Sequence, residues 1–197
     1  MVGGLTPFTT IDFPGRLAAV VFCQGCPWRC TYCHNPHLLP RRHGKLAWPA
    51  LLDWLATRRG LLDGVVFSGG EPLLQRGLAA ALAEVRALGF ATALHTAGIY
   101  PERLAAVLPL LDWVGFDVKA PFDEYARIVG SEGGAAARAA LEMLLASGLD
   151  HEVRLTVAPE IDAAAVERLR SELAGLGVAH LSLQTCRPPV ARMNHES

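Results

Sequence analysis

The chain has 197 residues, 51% of them hydrophobic and 19% charged, with a formal net charge of −1. That is about the length of one large domain with a sizeable buried core. It argues against a strongly basic nucleic-acid binder, since no Lys/Arg run exceeds Arg41-Arg42 or Arg58-Arg59. The start, "MVGGLTPFTTIDFPG", has neither the basic n-region nor the apolar h-region of a signal peptide. The longest apolar strand-like run, "LAAVVFC", is too short to span a bilayer, so no membrane partner is expected. The expected location is the cytoplasm, where thiols stay reduced and clustered cysteines bind metal more often than they pair.

In chain order, apolar runs that read as buried strands alternate with helical patterns. A strand at 17–22 is followed by a helix at 47–60, a strand at 64–68 and a helix at 76–89. Next come a strand at 91–96, a helix at 101–111, a strand at 113–119, a helix at 132–148 and a strand at 151–157. A helix at 162–177 and a strand at 180–185 complete the series. Pro101 and Asp162 suit helix starts. Strands without polar alternation, separated by helices, predict an α/β fold with a parallel sheet covered by helices. Six such strands make either a doubly wound sheet or a partial (β/α)6 barrel, and periodicity does not separate the two. In both, ligands bind at the C-terminal ends of the strands. One domain over 1–197 is expected, with strands and motifs in 16–186 and a tail at 187–197.

The unusual residues gather at those strand ends. "QGCPWRCTYCHNP" follows the first predicted strand, with the spacing Cys26-x3-Cys30-x2-Cys33 and with Cys23 just before it. Three thiolates from one loop can hold three irons of a [4Fe–4S] cubane and leave the fourth iron open. Four thiolates would close the site for electron transfer, or would hold a structural zinc. Zinc sites usually join two separated ligand pairs, and no second pair exists here. Cys23, at the end of a buried strand, fits a small hydrophobe. The open cluster is the favoured reading; a non-catalytic ferredoxin-like or zinc module is the rival.

"CPWRCTYC" resembles the CxxxCxΦC loop of radical S-adenosylmethionine (SAM) enzymes, with Tyr32 as the aromatic Φ. The "SGGEP" segment after the second predicted strand, Ser68-Gly69-Gly70-Glu71-Pro72, comes in the order found in that superfamily. "IDFPGRLAAVVFCQGCPWRCTYCHNP" looks like the start of glycyl-radical-enzyme activating proteins of the anaerobic ribonucleoside-triphosphate reductase type. The likeness runs over about residues 3–186. It implies a partial (β/α)6 TIM-like barrel, a [4Fe–4S] cluster on Cys26, Cys30 and Cys33, and SAM as cofactor. It implies as partners a glycyl-radical enzyme, such as anaerobic ribonucleotide reductase, and a one-electron donor such as flavodoxin or ferredoxin. The enzymatic alternative is a radical SAM enzyme acting on a small molecule, like 7-carboxy-7-deazaguanine synthase.

The remaining motifs follow from both kinds of reading. Two glycines in "SGGEP" let the backbone approach a ligand closely. The resemblance assigns this segment, Ser68, Gly69, Gly70 and Glu71, to the methionine amine of SAM; otherwise it is a strand-to-helix turn. Asp117 and Lys119 lie two apart, on one face of a strand. This D-x-K pattern resembles activase residues near SAM, or is a surface ion pair. Arg154 sits mid-strand, where a lone guanidinium is costly unless paired. By resemblance it would hold the methionine carboxylate; otherwise it bridges to a neighbouring strand. His95 and Thr96 end the third predicted strand, where many activases have Asp-Thr-Asn-Gly and this chain has His-Thr-Ala-Gly. Thr96 is assigned to the cofactor site. His34 reads as a packing residue and Cys186 as incidental. "CRPPVARMN" stands where some activases have a proline/histidine signature.

Overall fold

The computed structural model describes residues 2–186. The tail expected at 187–197, with most of "CRPPVARMN", lies outside the described residues. The strands are β1 (Val2–Thr9), β2 (Ala18–Cys23), β3 (Gly64–Gly69), β4 (Ala91–Thr96), β5 (Trp113–Val118), β6 (His151–Val157) and β7 (Leu181–Thr185). The helices are α1 (Trp48–Ala56), α2 (Leu78–Ala87), α3 (Pro101–Val107), α4 (Tyr125–Val129), α5 (Gly134–Ser147) and α6 (Ala163–Gly175). Pro101 opens α3, and the Asp162 carboxylate caps α6 by accepting from Ala165 N–H at 2.7 Å. The short α4 was not expected from the sequence.

The sheet runs in strict sequence order from β1 to β7. Every neighbouring pair from β2 onward is parallel. A doubly wound sheet reverses its strand order part-way, so the unbroken order identifies the partial barrel. The six expected strands are β2 to β7. β1 is a correction to that reading, an antiparallel seventh strand beside β2. Gly3, Gly4 and Pro7 hide it in the sequence, and Pro7 is tolerated because β1 is an edge. Its ladder is irregular around Gly3 and between Thr6 and Thr9.

Side-chain alternation gives the curved sheet two faces. Ala19, Val21, Val65, Phe67, Leu94, Val114, Phe116, Val153 and Leu155 join the helices in the main core. Ala18, Val20, Val66, Ala93 and Trp113 face inward and form a second, smaller cluster around Phe13. Phe13 belongs to the β1–β2 connection and packs on Trp113 with ring centroids 6.1 Å apart. This connection seals the N-terminal end of the barrel. By the same alternation His95, Asp117, Arg154, Thr156 and Gln184 point inward, above the plug. Among the described residues no helix is long and apolar enough to cross a membrane.

Candidate active site

The cysteine loop is held by backbone hydrogen bonds on both sides. On one side Gly25 N–H donates to Leu38 O at 2.7 Å and Cys26 N–H to Leu39 O at 3.1 Å. On the other, Arg29 N–H donates to Val129 O at 2.9 Å and Thr31 N–H to Ile128 O at 3.1 Å, at the end of α4. Trp28 is buried edge-on against Tyr125, with centroids 5.7 Å apart. These anchors leave the side chains of Cys26, Cys30 and Cys33 lining one cavity of about 290 Å3.

All the other residues singled out from the sequence line that same cavity: Tyr32, Ser68, Gly69, Gly70, Glu71, Thr96, Asp117, Lys119 and Arg154. Cys23 does not. It points to the outer face of β2 and borders a separate apolar hollow with Val21, Trp48 and Phe67. Burial pushes its thiol up to about 12. Cys186 follows β7 at the cavity's end of the sheet, its N–H donating to Val157 O at 3.4 Å. His95, singled out at the end of the third predicted strand without a role, lines the cavity too, as do Asp12, Thr156 and Gln184, which the sequence reading missed. Thr156 and Gln184 follow from alternation, since Thr156 is two past Arg154 and pairs with Gln184 in register. Asp12 is invisible without the inward fold of the β1–β2 connection.

The turn after β3 is compact because Gly69 has φ of +111° and a side chain there would sit 2.4 Å from Cys23 N. A side chain on Gly70 would meet Gly25 O at 2.3 Å. The two glycines thus press "SGGEP" against the root of the cysteine loop. Glu71 is only 2% exposed. Its Oε1 accepts from Thr96 Oγ1 at 2.7 Å and Leu73 N–H at 2.9 Å, and its Oε2 accepts from Ala97 N–H at 3.1 Å. Burial raises its carboxyl above the usual range although these bonds favour the anion. Glu71 therefore ties the β3 turn to the end of β4.

Asp117 Oδ1 accepts from Arg154 Nε at 2.8 Å, and its Oδ2 lies 3.7 Å from Lys119 Nζ. Arg154 is 9% exposed, and its guanidinium fills the space over Gly115, where a Cβ would lie 2.9 Å from Cζ. The cross-strand ion pair expected as one reading of Arg154 is present, and the pair sits in the cavity wall. Burial alone would raise the Asp117 carboxyl, but Lys119, Arg154 and His95 hold it down at about 2. Burial opposes the Lys119 charge, and the oxygens of Tyr32 and Asp117 outweigh it and raise its pKa. The Lys119 ammonium also lies 5.7 Å from the Tyr32 ring centroid. His95 donates from Nε2 to Asp12 O at 2.8 Å and meets Trp113 edge-on. Burial and then Arg154 lower its pKa, which disfavours the charged ring.

The sequence profile of the radical SAM superfamily matches residues 20–173. The chain belongs to that superfamily. It is 34% identical over 135 residues, 66% of the chain and 54% of the relative, to a protein of Methanocaldococcus jannaschii named as a candidate glycyl-radical enzyme activating enzyme. It is 37% identical over 129 residues, 62% of the chain and 54% of the relative, to the pyruvate formate-lyase-activating enzyme of Clostridium pasteurianum. This radical SAM chain thus spans about half the length of the curated relatives it matches. Its fold matches Streptococcus suis SuiB bound to S-adenosylmethionine at a TM-score of 0.68, with 13% identity, over 87% of the chain and 41% of SuiB.

Membership in the radical SAM superfamily implies an iron–sulfur cluster and SAM. The donors suit them. Among the described residues no three His, Cys, Asp or Glu side chains come close enough together to hold a single metal ion. The three thiols line one cavity, and three thiols from one loop are the donor set that three irons of a cubane take. Burial pushes the Cys26 thiol up to about 11 and raises that of Cys30. Ligation by iron would release those protons. The Tyr32 hydroxyl is buried at this cavity without a hydrogen-bond partner among the described residues, an orphaned group of the kind a ligand satisfies.

Proposed function

We propose that this chain is a radical SAM enzyme of the glycyl-radical activating type. Cys26, Cys30 and Cys33 would hold three irons of a [4Fe–4S] cluster. When bound, the reduced cluster supplies one electron that splits SAM into methionine and a 5′-deoxyadenosyl radical. The activity proposed is removal of a hydrogen atom from a glycine Cα of a partner protein, which would give 5′-deoxyadenosine and a glycyl radical. The partner class is a glycyl-radical enzyme such as anaerobic ribonucleotide reductase; the names of the relatives support the class.

The observation that carries this reading is the sorting of the cysteines. Three line the cavity with Tyr32, Lys119 and Arg154, while Cys23 lies behind the sheet. In the proposed site the "SGGEP" backbone and Thr96 bound the methionine amine. Arg154, steadied by Asp117, offers its remaining N–H groups to the carboxylate. The Phe13 plug keeps water out from below.

The test is anaerobic reconstitution with iron and sulfide, followed by electron paramagnetic resonance of the reduced protein with and without SAM. The expected result is a [4Fe–4S]⁺ signal that shifts when SAM is added, with 5′-deoxyadenosine formed. Cys23→Ala should keep the cluster and Cys26→Ser should lose it. A signal indifferent to SAM, or a cluster that needs Cys23, would overturn the reading.

A further inference from the structure

No Asp or Glu occurs between Asp12 and Asp53, although the chain as a whole carries a net charge of −1. The acid-free stretch includes the cysteine loop and the segment after it. Its linear spacing conceals a local concentration of charge. Gln24 Nε2 donates to Pro40 O at 2.8 Å, and Cys26 N–H donates to Leu39 O, so residues 37–41 are folded against the loop. The Arg41 Cγ lies 3.5 Å from where a Gly25 Cβ would be. From the other side, Arg29 Nη1 donates to the carbonyl oxygens of Cys26 and Trp28, each at 2.9 Å. Lys45 is held at the same rim because Leu46 N–H donates to Val2 O at 3.2 Å, and Val2 pairs with Cys23.

Arg29, Arg41, Arg42 and Lys45 are all exposed, and among the described residues none is in a salt bridge. The Glu124–Arg127–Arg168 group, by contrast, carries both signs, and the other basic pair, Arg58 and Arg59, leads into the start of β3 at the opposite end of the barrel. The basic arc therefore projects an unbalanced positive field beside Cys26. A one-electron donor must approach the cluster closely, and it must leave again after one transfer. Electron-transfer contacts are small and weak, and their partners are gathered by complementary charge more than by buried area.

We propose that the arc of Arg29, Arg41, Arg42 and Lys45 is the docking surface for a small acidic electron-transfer protein that reduces the cluster across the Cys26 side of the loop. This rests on the radical SAM reading above. The transfer balances as one electron: the donor is oxidised by one and the cluster goes from the 2+ to the 1+ state.

The test compares the wild-type chain with R41E/R42E/K45E and with the milder R41Q/R42Q. Arg29 stays intact because it holds the loop. The probe is a purified acidic flavodoxin. Its oxidised form is titrated onto each chain at low ionic strength, and its hydroquinone is mixed with each reconstituted chain in a stopped-flow instrument. Dithionite serves as a reductant that needs no docking.

Charge reversal should weaken flavodoxin binding and slow its electron transfer by about tenfold or more, with R41Q/R42Q between the two. The salt dependence of the wild type should largely vanish. Reduction by dithionite and SAM cleavage driven by it should be unchanged. Equal binding and equal rates in all three chains would overturn the proposal, as would an equal loss with dithionite. A 20-nucleotide RNA that binds the arc while flavodoxin ignores it would also overturn it. If dithionite-reduced wild type fails to cleave SAM, the enzymatic reading falls, while flavodoxin titration still decides the docking surface.

Discussion

At the scale of single residues, the cavity wall is organised by the half-buried Asp117 carboxylate between Arg154 and Lys119. Asp117 is held at about 2 in the folded chain against an ordinary 3.8. A lowered carboxyl contributes its stability above the unfolded value and loses it as pH falls through the folded one. Asp117 with Lys119 and Arg154 thus contributes about 2 kcal/mol above pH 4, fading toward pH 2. Asp117→Asn should remove this dependence, flattening stability against pH between about 4 and 2 in urea unfolding. An unchanged acid limb would show that Arg154 does not depend on Asp117. Most residues of the site were legible because they sit in motifs at strand ends, and Arg154 because it is a lone cation in the middle of an apolar strand. Their partners were not. That Arg154 meets Asp117 depends on the β5–β6 register, and that Glu71 turns to Thr96 depends on the β3–β4 crossing; neither is written in local spacing.

At the scale of elements, the β1–β2 connection does the most with the least sequence signal. Glycines and Pro7 made β1 read as loop, and "IDFPG" shows no periodicity. Yet Phe13 is buried inside the barrel, and Asp12 O fixes the His95 ring above it. Phe13→Ala should cost about 3 kcal/mol, as loss of a buried aromatic does. The urea midpoint measures this, and a loss under about 1 kcal/mol would mean that the plug collapses without consequence. Strands β2 to β7, by contrast, were legible from unalternating apolar runs that only a doubly covered sheet accommodates. The helices came out shorter than their apolar patterns, as with α1 ending at Ala56 rather than 60, because the Arg58–Gly60 stretch turns instead of continuing.

At the scale of the whole molecule, the sheet is strongest in its middle. β3, β4 and β5 are covered by helices outside and by the inner cluster within. β7 pairs with β6 alone among the described residues, and its Leu183 is 46% exposed. Native-state hydrogen exchange should therefore show β4 amides opening only with global unfolding and β7 amides opening well before it. Equal protection would mean that another segment pairs with that edge. The strand order also bears on synthesis. Because the sheet follows the chain from β1 to β7, each strand can dock on its predecessor as it leaves the ribosome. The cysteine loop emerges early, but half its backbone anchors, Ile128 and Val129, belong to α4 and emerge much later. The thiols are therefore presented to the nascent chain's surroundings before their cradle exists, and loading of the proposed cluster would belong to a late stage of biogenesis, after α4 has been made.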